Sequence, residues 1–166
     1  MAQQIINIGA IANDNTGDTL RGAGQKINDN FDEIYAALPL TAPSTWVPSL
    51  TDSGGGRTFT YTVNTAQHTS IGFVTTFTAD LTVNSVTGTA TGQLRLTLPD
   101  TVTYTTAAAV WLTNATNQAK TMIIARVVGG TNYLEFSVFE TGVTSSLAGH
   151  LQATSRLIVS GVYFTA

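Results

Sequence analysis

Apolar positions near the amino end recur with a helical period. Leu20, Gly24, Ile27, Phe31, Ile34 and Leu38 are spaced 4, 3, 4, 3 and 4 apart. That alternation is a heptad seam, with Leu20, Ile27 and Ile34 at d and Gly24, Phe31 and Leu38 at a. Asp18 or Thr19 can cap the helix after a Gly17 turn, and Pro39 stops it. One reading is an amphipathic helix packed on its own domain. The other is self-association: isoleucine at d disfavours parallel dimers and shifts preference to three or more strands. Three heptads are too short to hold a trimer unaided, so the following domain would have to trimerise as well.

Beyond residue 48 the period changes to two. Gln93–Leu98 alternates cleanly, and so does Tyr133–Glu140, with Leu134, Phe136 and Val138 on one face. Arg57–Val63, Ser70–Ala79, Leu81–Thr87, Ala107–Thr113, Lys120–Val128 and Arg156–Thr165 complete about eight predicted strands. Turn signals stand at Gly54–Gly56, Thr87-Gly88, Pro99-Asp100 and Gly129–Asn132, the last reading as a hairpin. Lys120–Val128 is almost continuously apolar, the mark of a strand covered on both faces, by a second sheet and by a neighbouring subunit. The pattern predicts a mainly β fold. It is a jelly-roll-like antiparallel sandwich of about eight strands, preceded by one short helix. Pro39, Pro43 and Pro48 mark a linker. The expected organisation is an N-terminal segment with a trimerising helix at 1–38, a proline-rich linker at 39–48 and a β head at 49–166.

Composition narrows the function. Apolar residues make up 43% of the 166, which excludes a disordered polymer, while charged residues make up only 10%. Thirty threonines supply the missing polar surface. Seven Lys and Arg with a net charge of -3 cannot track a phosphate backbone, so no nucleic-acid partner is expected. No run of 18 apolar residues occurs, so no membrane insertion is expected, and residues 1–10 show no secretory leader pattern. The absence of cysteine removes disulfides, thiolate metal sites and cysteine nucleophiles.

Candidate chemistry is thin. His68 and His150 are far apart and lack a neighbouring carboxylate. Asn13–Asp18 resembles a calcium loop only superficially: its fifth position is Gly17 and its twelfth is Gly24, where a bidentate glutamate is needed. Gly54-Gly-Gly56-Arg57 lacks the Lys-Ser/Thr of a phosphate loop and precedes a strand. Asp52, Asp80, Asp100, Glu135 and Glu140 could form a glycosidase pair only through the fold, and Glu135 and Glu140 lie on opposite strand faces. No catalytic residue, metal or cofactor is expected. Trp46, Tyr104 and Trp111 could stack on sugars if gathered in one groove.

One segment carries a resemblance. Ile6-Asn-Ile-Gly9, Asn13-Asp-Asn-Thr-Gly-Asp18 and the run from Leu20-Arg21 through Lys26-Ile-Asn-Asp-Asn-Phe31 to Glu33-Ile-Tyr35 resemble an N-terminal segment of tailed-bacteriophage structural proteins. Tail fibres and virion appendages are the nearest type. Thr19 stands where that pattern has proline, and Gly24 where it has phenylalanine. The resemblance implies a non-enzymatic virion protein, assembled in the host bacterial cytoplasm, that is a homotrimeric capsid decoration (cement) knob or short fibre. Leu20, Ile27, Phe31, Ile34 and Leu38 would form the trimer interface. Ile6, Ile8, Asn13, Asp14, Asp18 and Arg21 would dock on another virion protein of capsid or tail. The alternative is a receptor-binding fibre tip, with Trp46, Tyr104 and Trp111 contacting a host surface polysaccharide.

Overall fold

The computed structural model describes residues 4–11, 15–37, 43–116, 122–140 and 143–166. The chain divides into two compact units, Met1–Thr41 and Ala42–Ala166. In the first, α1 spans Leu20–Ala37. Thr19 caps it, its hydroxyl accepting from the Gly22 N–H at 3.1 Å.

The second unit is antiparallel throughout. Its strands are β1 (Ser44–Thr45), β2 (Leu50–Asp52), β3 (Arg57–Ile71), β4 (Val74–Gly88), β5 (Leu94–Thr97), β6 (Thr106–Thr113), β7 (Met122–Val127), β8 (Tyr133–Glu140), β9 (Val143–Ser146) and β10 (Arg156–Phe164). They pair in the order β1-β3-β4-β10-β6-β7-β8-β5-β2, and β9 adds to β8. The mainly β, antiparallel, sandwich-like expectation holds, with ten strands rather than eight. The two layers are parts of one continuous sheet.

The connectivity explains why that sheet curls. β1 and β2 are consecutive in sequence yet lie at opposite ends of the order. Laid flat, eight strand spacings would separate them by ~38 Å. The link from Thr45 to Leu50 reaches at most ~19 Å. The sheet therefore rolls until its ends meet, and side chains fasten the closure. The Trp46 N–H donates to Ala66 O of β3, and its indole Nε1 donates to Thr97 O on β5 at 3.2 Å. The Tyr61 hydroxyl on β3 accepts from Leu50 N and donates to Pro48 O, at 3.2 and 3.1 Å.

Alternation on the strands fills the roll. Phe77, Ala79, Leu81 and Val83 of β4 point inward with Leu94 and Leu96 of β5, Leu134, Phe136 and Val138 of β8, and Leu157, Val159 and Tyr163 of β10. Gly161 lets β10 pass the Phe77 ring, since a Cβ there would lie 2.9 Å from it.

Three sequence expectations are corrected here. Residues 43–48 are not linker: β1 and Trp46 belong to the β unit, because the indole packs edge-on against His68 and Phe77 at ring separations of 6.0 and 6.3 Å. The predicted strand Ser70–Ala79 instead contains a hairpin. Ile71 pairs with Val74 around a two-residue turn, and Gly72 takes the positive φ of 60° that such a turn places first. The strand break expected near Asp80 does not occur. Arg156 and Asn64 hold its carboxylate, so β4 runs unbroken for 15 residues.

Asp52, like Glu135, is a buried carboxylate, 6% exposed. It accepts from the backbone N–H groups of Gly54, Arg57 and Thr91 at 3.1, 3.1 and 2.9 Å, tying the β2–β3 turn to residues 89–92. Burial pushes its pKa up, but the backbone N–H groups of Thr91, Gly54, Gly92 and Arg57 outweigh that and hold it below the usual carboxylate range. A depressed folded value gives stability that is complete above the unfolded value of about 3.9 and lost as pH falls through the folded one. Asp52→Ala is expected to cost about 3 kcal/mol in urea unfolding near neutral pH. It should also flatten the loss of stability between about pH 5 and 3. Equal acid sensitivity in the variant would show that other carboxylates carry it.

Candidate functional site

The first unit carries a connected set of specific polar contacts. An extended segment, residues 4–11, lies along the polar side of α1. The Asn30 side chain grips Gln4 at both ends, Oδ1 accepting from Gln4 N and Nδ2 donating to Gln4 O, each at 2.9 Å. Gln4 Nε2 donates to Asp29. One turn earlier, the Lys26 ammonium donates to Ile5 O at 3.0 Å and to the Asp18 carboxylate at 2.7 Å. Asp18 also accepts from Asn7 N at 2.8 Å, while its own N–H donates to Asn7 O. Asn7 Nδ2 reaches Thr16 O and its Oδ1 accepts from Gly9 N. Gly17 is required at the crossing, because a Cβ would sit 3.0 Å from Asn7 O, Ile8 C and Gly9 N. The Lys26 hydrogen bond, and next the Asn7 N–H, hold the Asp18 carboxyl below the usual range.

This clamp covers one side of the helix and leaves the heptad seam open. Leu20 is 92% exposed, Phe31 53%, and Ile27 and Ile34 nearly half. Phe31 and Tyr35 stack at 6.4 Å. Gly24 faces open space, with nothing within 4 Å of where a Cβ would stand. Of the predicted docking residues, Ile8 and Arg21 are exposed, Ile6 is half-buried, and Asp18 is engaged within its own unit. Leu38, Asn13 and Asp14 lie outside the described residues. The sequence reading does not single out Asn7, Lys26, Asp29 and Asn30 individually as site residues. A signal for them exists in the spacing: Lys26 and Asn30, like Gln25 and Asp29, are four apart on faces away from the seam.

Comparison with known proteins bears on the same segment. The family model described as bacteriophage T4 gp9/10-like protein, N-terminal, matches residues 3–132. The chain belongs to that family. Over 78 residues this gp9/10-like chain is 42% identical to the baseplate wedge protein gp10 of Enterobacteria phage T4, covering 44% of the chain but only 13% of that protein. The fold is similar to part of the Dettilon tailspike protein (gp208), with a TM-score of 0.60 and 13% identity over 74% of this chain and 23% of that one. At that identity the likeness concerns the fold. The resemblance to phage structural proteins read from residues 6–35 is thus correct, and the gp9/10-like chain is a phage structural protein.

Elsewhere the gp9/10-like chain shows surfaces rather than reactive clusters. Trp46, Tyr104 and Trp111 stand in three settings, not in one groove. Trp46 is half-buried at the sheet closure, Trp111 projects 55% exposed from β6, and Tyr104 meets Phe164 edge-on at 6.2 Å. The carboxylates are held separately: Asp80 by Arg156, Glu135 by Arg95 and Arg126, and Asp100 by the Tyr163 hydroxyl at 3.5 Å. Burial, then the Asp100 charge, pushes that hydroxyl up to about 12. His68 packs on Trp46, whereas His150 lies against Thr116 O. Among the described residues no group of three or more His, Asp or Glu is placed to hold a metal, and no helix is long and apolar enough to cross a membrane.

The clamp gives a prediction. Asp18→Asn removes the charge that Lys26 and Asn7 share, and amide exchange at Asn7 should accelerate roughly tenfold while the β unit is unaffected. Acid should act likewise in the unaltered chain. The depressed value keeps the clamp closed above the usual carboxylate range and opens it only as pH falls through the lowered value. Exchange at Asn7 indifferent to both changes would show that the segment is held by other contacts.

Proposed function

We propose that this protein is a non-enzymatic structural component of a phage tail. It acts as a homotrimer whose N-terminal unit associates with another virion protein and carries the β unit. The observation that supports this most directly is the exposed seam of Leu20, Ile27, Phe31 and Ile34. A helix that presents isoleucines at d to solvent, its other side already occupied by a polar clamp, has an apolar stripe suited to two further copies. The first unit is about forty residues long, too short to bury enough apolar surface by itself. Docking falls on what the clamp leaves outward: Ile8 and Arg21, with Ile5 and Ile11 beside them. The matched relative is named as a baseplate wedge protein, which favours the tail over the capsid-decoration knob.

A receptor-tip role is the second reading, and one feature favours it. Phe73, Tyr104 and Phe164 cluster around a hollow of about 390 Å³ that Thr103 and Thr165 also line. Exposed rings beside hydroxyls suit a sugar face. Selective binding to host polysaccharide on a glycan array, abolished by Tyr104→Ala, would support it, and an array without hits would remove it.

Light scattering should give about 52 kDa, three times the 17.4 kDa chain. Ile27→Asp with Ile34→Asp should reduce this to a single chain with unchanged strand circular dichroism. A single-chain mass for the unaltered protein would sink the trimer. Gly24→Leu should raise the thermal midpoint of the assembly, since the site is open and glycine costs a helix about 1 kcal/mol. Tagged particles imaged by electron microscopy should show the protein at the baseplate; label confined to the capsid would redirect the reading there.

A further inference from the structure

Two adjoining hollows open where β10 ends. Beyond Phe164 the chain is pinned on both sides: Thr165 N donates to Phe73 O at 2.9 Å, and Thr103 N donates to Phe164 O at 2.7 Å. These backbone bonds hold the rings of Phe73, Tyr104 and Phe164 around the first hollow. Phe73 and Tyr104 are 64% and 66% exposed, so much of each ring stays clear of the core. Thr165 also lines a second hollow of about 400 Å³, with Ser70, Asp100 and Thr101. Both volumes fall within the range of about 300–1,000 Å³ usual for small-molecule sites. The second hollow is rich in acceptors. Asp100 is exposed and belongs to none of the four ion pairs among the described residues. The fully buried Tyr163 directs its hydroxyl to Asp100 Oδ2 in a long bond of 3.5 Å, which leaves most of the carboxylate's roughly four acceptor positions open. Tyr163 keeps its proton at neutral pH, because burial and then the Asp100 charge push it up to about 12.

We propose that the two hollows are neighbouring subsites for an uncharged saccharide: one sugar unit lays its C–H face on the rings, and the next offers a pair of hydroxyls to the Asp100 carboxylate. The proposal rests on the receptor-tip reading above and names the class of glycan that site takes. Two features choose the occupant. First, hydroxyls stand beside both the rings and the carboxylate, Thr103 and Thr165 in one hollow, Ser70 and Thr101 in the other. A hydroxyl both donates and accepts, so another hydroxyl matches it fully. An ammonium group only donates and would leave those hydroxyl protons without an acceptor. Sugars join such hydroxyls to an apolar face that aromatic rings can cover. Second, the charge excludes acidic glycans. A uronate or phosphate would enter beside a carboxylate that no described cation compensates, and like charges brought together oppose binding.

The test is an array of bacterial surface glycans, neutral and uronate-bearing, probed with the full-length chain. Binding should be confined to neutral members. Asp100→Ala should weaken the best neutral hit at least roughly tenfold. Thr101→Arg, on an exposed residue, should do the same by filling the hollow while leaving the Tyr163–Asp100 bond in place. Asp100→Lys should admit uronate-bearing glycans, and excess choline chloride should not displace the neutral hit from the unaltered chain. Strand circular dichroism should be unchanged in all three variants. Neutral binding that is lost in Tyr104→Ala but kept in both Asp100→Ala and Thr101→Arg overturns the second subsite and leaves the receptor-tip reading standing. Hits confined to uronate-bearing glycans, or displacement by choline, overturn the choice of occupant and likewise leave that reading standing. An array without hits removes the receptor-tip reading and this proposal with it.

Discussion

The pairing of seven charged side chains within their own units, with Asp52 bound by backbone N–H groups, constrains what the surface of this protein can do. Asp18 and Lys26 hold the N-terminal segment on α1, Glu135 sits between Arg95 and Arg126, Asp80 binds Arg156, and Asp52 takes three backbone N–H groups. Arg95 also lies over the Tyr133 ring at 4.1 Å. Apart from charges such as Arg21 and Asp32 on α1, much of what remains outside is hydroxyl-bearing or apolar. The hydroxyl parts are satisfied by water and by one another. Apolar side chains exposed on α1 and on β6 to β8 are stabilised wherever another apolar surface covers them.

The β unit obeys a second constraint, that of chain length. A four-residue connection from one end of the strand order to the other leaves no flat solution, so the sheet must close upon its own core. Trp46 and Tyr61 complete that closure by bonding backbone groups at the two strand ends, where unpaired edges would otherwise be open to pairing with other chains. A sheet rolled in this way presents mainly its outer face. That suits a part whose task is to hold position within a larger particle.

The N-terminal unit connects the family motif to that task. The residues shared with phage structural proteins fall into two sets with different physical roles. Asp18, Lys26 and Asn30 build the clamp, and Leu20, Ile27, Phe31 and Ile34 form the seam. Satisfying the polar set within the unit orients the apolar set outward. A variant that loosened the clamp would expose backbone groups of residues 4–9 and disturb the presentation of the seam together.

The bare sequence determined a great deal: periodicity marked the helix, its seam and the β character of residues 49–166, turn residues marked the hairpin at Gly129–Asn132, and the motifs of residues 6–35 carried the resemblance to phage structural proteins. These are local signals, set by side-chain spacing and by the backbone preferences of glycine, proline and β-branched residues. Only the tertiary structure decided the rest. It put a hairpin at Gly72, carried β4 through Asp80 once Arg156 was there to pair with it, and drew Trp46 out of the linker into the closure. It separated Trp46, Tyr104 and Trp111, and it left Trp111, Met122, Ile124 and Phe139 exposed on β6 to β8. Each of these depends on which distant strand lies alongside. A sequence read one residue after another does not carry that information, because strand order follows from the joint packing of the whole core.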